Sequence, residues 1–186
     1  MTWWAESPHA TLSQGDVIRD VPVAVVRHPL AQLTRTTVKG GEAWSPSGQW
    51  APDEQGMGFC LGRGRVLPVL VITDSCQLDK RETKERVLVA PVYAIGLLRQ
   101  EDQLTVLAQG RRSKMPLPDL PNLGSSYADL RMVTAIDSKF LDVGRRVAQL
   151  SDEGVGRLQA QLVGFFTGVD ARALFAALVS MKKTVD

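Results

Sequence analysis

The chain has 186 residues and a net charge of +2, so no global excess of positive charge marks it as a nucleic-acid binder. Such a role would need local clustering of its Lys and Arg side chains. Its hydrophobic fraction of 44% and charged fraction of 23% exclude wholesale disorder and fit a globule that buries a core without disulfides or metal.

Residues 1–13 read as an N-terminal segment whose tryptophans, Trp3 and Trp4, cap one end of the core. This start lacks the basic region and apolar stretch of a signal peptide. No apolar run approaches the roughly 20 residues that cross a bilayer, so no membrane role is expected. Gln14-Gly15-Asp16 is turn chemistry, and residues 17–26 read as a first strand, bent or on an edge at Pro22.

Residues 27–64 carry turn signals at short intervals: Lys39-Gly40-Gly41, Ser45-Pro46-Ser47-Gly48, Ala51-Pro52-Asp53 and Gly62-Arg63-Gly64-Arg65. They are expected to form a long loop excursion with room for one short hairpin, packed through Trp44, Trp50 and Phe59 on this chain or on a partner. Residues 66–72 and 86–94 are the clearest strands. Their near-continuous Val and Leu content fits central strands covered on both faces. The charged run at 79–85 between them reads as a solvated connection.

Residues 95–101 read as a short helix or a bend, and Leu104-Thr105-Val106-Leu107 as a further strand. Residues 115–121, with prolines at 116, 118 and 121, must be extended, and residues 127–136 read as one strand. Ser151 is set to cap a helix with Asp152 and Glu153 in its first turn and an apolar stripe of Val155, Leu158, Leu162, Phe165 and Phe166. Gly168 ends it, and Asp170 caps a last helix carrying Leu174, Phe175, Leu178 and Met181.

Several groups carry possible chemistry. Asp74, Ser75 and Cys76 leave the end of an apolar strand, where a rigid scaffold fixes a loop. Cys76 would serve as a nucleophile if a neighbouring base lowered its pKa; otherwise it is a small buried Cys beside an Asp that ties a turn. Arg63 and Arg65 flank Gly64 and could meet a phosphate, or be solvated at a loop end. Gly110-Arg111-Arg112-Ser113-Lys114 is the densest basic cluster, suited to a nucleic-acid backbone or simply to solvent. Arg145-Arg146 reads as the solvent face of a turn or helix, and Asp16, Asp20 and Asp74 would form an acid/base or metal group only if the fold brought them together. Cys60 and Cys76 lack CxxC spacing, and His9 and His28 are distant from both. No metal or other cofactor is therefore expected, and a reduced, cytoplasmic setting fits.

Three pieces in order resemble the PemK/MazF family of toxin endoribonucleases. The first is Gln14-Gly15-Asp16-Val17-Ile18, similar to the turn that opens the family's first strand. The second is Leu67-Pro68-Val69-Leu70-Val71-Ile72 followed by Val87-Leu88-Val89-Ala90-Pro91, similar to its two central strands. The third is Ala128-Asp129-Leu130-Arg131-Met132-Val133-Thr134-Ala135-Ile136-Asp137, which resembles the strand before the closing helix; residues 147–151 resemble that helix's start. The resemblance implies a mainly β (α+β) fold, an SH3-like small barrel with C-terminal helices and a long inserted loop. The barrel domain would span 1–168, with the insertion at about 27–64, and a C-terminal helix would span 169–186.

By the same resemblance the protein would be a homodimer that cuts single-stranded RNA without metal, paired with an antitoxin. On that reading Arg65 would stabilise phosphate charge beside Thr73 and Asp74, and Arg63, Arg111, Arg112 and Lys114 would hold the RNA; a separate reading, a Cys-dependent enzyme, would make Cys76 the catalytic nucleophile. The alternative is a non-catalytic interaction module, a subunit of a larger phage-related or defence assembly. The resemblance implies a catalytic pair of an Arg directly before the central strand's proline and a Thr or Ser after the next strand; Leu67 directly before Pro68, and Val92-Tyr93-Ala94-Ile95 without Ser or Thr, depart from it and favour this second reading.

Overall fold

The computed structural model describes residues 2–25, 31–38, 41–49, 60–61, 63–78 and 86–185. His28, Trp50, Phe59 and the charged connection at 79–85 lie outside them. The chain is α+β. Its strands are β1 (Asp16–Val25), β2 (Ala31–Val38), β3 (Gly41–Gln49), β4 (Cys60–Leu61), β5 (Arg63–Val71), β6 (Arg86–Ala94), β7 (Lys114–Leu120), β8 (Gly124–Asp129), β9 (Thr134–Asp137) and β10 (Arg146–Gln149). Its helices are the single turn α1 (Ser75–Leu78), then α2 (Gln100–Leu107), α3 (Asp152–Thr167) and α4 (Ala171–Val185). Two compact units result, Pro22–Val66 and the remainder, Met1–Val21 with Leu67–Asp186.

A seven-stranded antiparallel sheet runs β10-β1-β5-β6-β8-β7, with β9 paired to the first half of β6. Gly15 starts it. At φ 87° it turns the chain so that its N–H donates to Val71 O while its carbonyl accepts from Leu150 N, pinning β1 between its neighbours. The expectation for β5 and β6 holds for the middle of each strand, where Val69, Leu70, Val71, Val89 and Ala90 are fully buried on alternating faces, but not at their outer ends, where Val66 is 65% and Leu88 44% exposed. β1 is internal and not an edge; the bend falls at Asp20, with φ 58°, two residues before Pro22.

The main core joins Val17, Leu70, Val92, Met115, Leu117 and Leu158, so α3 is packed on the inner sheet face through one stripe. Full burial of a side chain such as Leu158 contributes about 2 kcal/mol. Ser151 caps α3 as expected, accepting from Gly154 N at 3.2 Å, and Gly168 ends it at φ 81°. Asp170 accepts from Arg172 N at the start of α4. The Arg157 guanidinium lies 5.2 Å from the Trp3 ring and 4.3 Å from the Phe175 ring, linking the N-terminal segment, α3 and α4.

Trp4 has a larger role than core capping. It forms a bridge with Leu150 beside β10, while its indole N–H donates to Pro118 O on β7 at 2.9 Å. One residue thus contacts both ends of the sheet path. The neighbouring Ala5 N–H donates to Gln149 O, covering the β10 edge, and β7 carries Pro116 and Pro118, which have no N–H to offer.

Four expectations are corrected. Residues 104–107 are the end of helix α2 and not a strand: Gln100–Gln103 favour helix, Glu101 and Asp102 suit its first turn, and Gln109 and Gly110 close it by donating to Val106 O and Thr105 O. Residues 127–136 are not one strand. Asp129 caps a 3-10 turn at Leu130–Met132 that separates β8 from β9. Residues 147–151 do not begin a helix. Arg146–Gln149 pairs with Asp16–Ile18 as β10, and the helix waits for the cap at Ser151. In the excursion, β2 and β3 form a long antiparallel hairpin and β4 pairs with β2. The Thr-rich β2 has loop-like polarity but β-branched strand propensity, and Pro46 faces Leu33 where the register shifts.

Candidate nucleic-acid interface

At the exit of β5, Thr73 is buried and its hydroxyl accepts from Leu88 N at 2.7 Å, extending the β5–β6 contact beyond the ladder. Gln14 braces the same corner: its carboxamide donates to Ile72 O at 2.7 Å, and its backbone N–H donates to Ser75 Oγ at 3.1 Å. Asp74 is exposed and accepts from Cys76 N at 2.8 Å, tying the turn into α1. Hydrogen bonding from the Cys76 side chain and then its backbone N–H holds the Asp74 carboxyl below its ordinary range. Cys76 is exposed and not buried. Activated thiols sit beside cations, whereas the neighbour here is a carboxylate.

Arg63 opens β5, and Arg65 is exposed on it, within the unit Pro22–Val66. The tip residues Thr73, Asp74 and Cys76 belong to the other unit. So do Arg111, Arg112 and Lys114, which the fold treats differently from one another. Arg111 pairs with Asp102 of α2 at 2.5 Å. Arg112 is exposed. Lys114 is mostly covered, its Nζ 3.5 Å from Asp129 and 4.6 Å from the Tyr127 ring centroid. The loop itself is pinned to α3, since the buried Gln161 carboxamide donates to both Arg111 O and Arg112 O.

Lys114 leads to a constellation that sequence reading missed. Asp129 faces Lys114 across the β7–β8 ladder, and Tyr127 pairs with Tyr93 of β6. The two rings lie 5.8 Å apart and tilted by 37°. Arg131 grips Asp129 with two prongs, Nε at 2.9 Å and Nη2 at 2.6 Å. Burial alone would raise the Asp129 carboxyl, but the hydrogen bonds and charge of Arg131 and the charge of Lys114 hold it below its ordinary value. Hydrogen bonding to Asp129 pushes Arg131 up, and burial, with Asp129 and Tyr93 nearby, pushes Tyr127 up, so that ring stays neutral. The available signal was the Asp129-Leu130-Arg131 spacing together with the chain's two tyrosines; their meeting depends on strand register.

Arg146 corrects the solvent-face reading of Arg145-Arg146. Its side chain is 8% exposed and pairs with fully buried Asp16 at 2.9 Å, while also donating to His9 O and Thr11 O. Asp16 further accepts from Ser13 N and Gln149 Nε2, each at 2.8 Å. Burial raises the Asp16 carboxyl, and Ser13, Arg146 and Gln149 pull it only partly back. This network fastens the N-terminal segment to the β1–β10 edge. Among the described residues no group of three or more His, Cys, Asp or Glu could hold a metal ion, and no helix is long and apolar enough to cross a membrane.

No protein-family model matches the sequence, and a search of curated proteins returns no significant match.

Proposed function

We propose that the chain is a small-barrel protein of the PemK/MazF type that binds single-stranded RNA or a similar polyanion without cleaving it. The antiparallel sheet with both path ends meeting at Trp4 supports the small-barrel part. The observation that carries the binding part is the gathering of Lys114, Arg131, Tyr127 and Tyr93 beside the basic loop of Arg111 and Arg112. Cations beside aromatic rings suit a nucleic-acid strand.

The non-cleaving part is supported by Thr73, whose buried hydroxyl already holds Leu88 N–H, and by Asp74, which acts as a turn cap. Leu67 before Pro68 points the same way. The test is incubation with mixed-sequence single-stranded RNA without added metal, beside Arg65→Ala. Intact, retained RNA is expected. Defined fragments that vanish in Arg65→Ala would replace this with the endoribonuclease reading.

A second reading, an interaction module docked on a protein such as an antitoxin, an assembly subunit or a second copy, is favoured by exposed apolar side chains at the end of α3. Val163 is 48% exposed and Phe166 76%. Passage through an RNA column without retention would select it.

A further inference from the structure

We infer that the cluster formed by Tyr93 of β6, Lys114 of β7 and Arg131 in the turn after β8 carries a site for one unit of a single-stranded nucleic acid, with Arg131 taking a phosphodiester and Tyr93 stacking under a base. This rests on the polyanion-binding reading above and names the place where binding occurs. Two cations, Lys114 and Arg131, share one carboxylate, Asp129, so the cluster keeps a positive charge. Arg131 engages Asp129 through Nε and Nη2, which leaves Nη1 outside the pair on a side chain that is 59% exposed. A guanidinium already fixed in orientation loses little freedom on meeting a phosphate.

The chain supplies its own contrast. Asp170 and Arg172 repeat the Asp-x-Arg spacing and the two-pronged pair at the start of α4. There the carboxylate side chain is 48% exposed, a helix cap in solvent, whereas at Asp129 it is 7% exposed with a second cation above a tyrosine ring. A cap alone needs neither the burial nor the extra cation.

Tyr93 is half-buried and leans on Tyr127, which in turn packs on Ile95 and Val106. This is a rigid base for stacking, and stacking needs a base with a free face, hence a single strand. The Arg111 backbone carbonyl accepts from Lys114 N–H, so the basic loop leads directly from the cluster and suits the continuing backbone.

The test is fluorescence anisotropy of a labelled single-stranded RNA of about ten nucleotides, with heparin as a polyanion lacking bases, using the full chain. Arg131→Gln should weaken both ligands, RNA about tenfold, and lower the salt slope by about one. Tyr93→Ala should weaken RNA about tenfold and leave heparin unchanged, while Tyr93→Phe binds as wild type. Should Arg131→Gln misfold by circular dichroism, the Tyr93 pair decides. Wild-type RNA affinity in folded Tyr93→Ala, or an equal loss for RNA and heparin, overturns the inference while leaving RNA binding itself intact. No RNA binding by the wild-type chain overturns the binding reading and this inference together.

Discussion

The indole N–H of Trp4 donates to the carbonyl of Pro118 at 2.9 Å, and this bond joins the N-terminal segment to the last strand of the sheet path. Because the Trp4 backbone also bridges to Leu150 beside β10, this one residue meets both ends of the sheet path, one through its backbone and the other through its side chain. Trp4→Phe keeps one aromatic ring but removes the indole N–H together with its five-membered ring; it should lower unfolding free energy in urea by about 1–2 kcal/mol. Trp4→Ala also removes the packing and should cost about 3 kcal/mol. Equal stability of Trp4→Phe and wild type would show that the bond does not matter.

Arg146 should be a folding determinant despite its surface-like sequence context. Arg146→Leu leaves Asp16 buried without its cation, at a cost of about 3 kcal/mol or more near neutral pH. Burial already raises Asp16, so its folded form favours the proton; the related stability is present below 3.8 and lost as pH rises through the raised value. The deficit of Arg146→Leu should therefore shrink as the solution is acidified. Urea melts across this range check it, and a deficit that grows in acid would contradict it.

What was legible in the sequence follows the range of the forces involved. Local signals were readable: the Gly15 turn, the Ser151 cap, the Gly168 stop and the apolar β5 and β6. Leu104-Thr105-Val106-Leu107 misled because β-branched residues suggest a strand, while the helix-forming residues before it and the burial of Val106 against Tyr127 favour a helix. Residues 147–151 misled because a strand of four residues gains its pairing from β1, far away in sequence. The candidate interface was half visible. Lys114 belonged to a readable basic cluster, but its partners Tyr93, Tyr127, Asp129 and Arg131 arrive through strand register, which a linear pattern does not show.

Asp129 should give the fold an acid-sensitive contribution. Its carboxyl is held below the ordinary 3.8, so the related stability is present above that value and is lost as pH falls through the lower folded value. Asp129→Asn should cost about 2 kcal/mol at neutral pH, and the gap to wild type should close in acid below 3.8. A gap that stays constant down to about pH 2 would show that the carboxylate charge plays no part.

Gly164 should invert the usual effect of a helical Gly→Ala change. In an open helix that substitution gains about 1 kcal/mol. Here a Cβ would lie 2.8 Å from Val169 O and 3.3 Å from Ala171 Cβ, in the turn that returns α4 onto α3. Gly164→Ala should destabilise by about 1–3 kcal/mol and speed amide exchange in α4. A rise in stability would show that the turn gives way freely.

The most direct test of RNA binding is equilibrium binding of a mixed-sequence single-stranded RNA by the wild-type chain, followed across a salt series without added metal. An affinity whose logarithm falls linearly with the logarithm of salt is expected, with RNA recovered intact. No binding at the lowest salt, or affinity indifferent to salt, would contradict it and leave the protein-docking surface around Phe166 as the better reading.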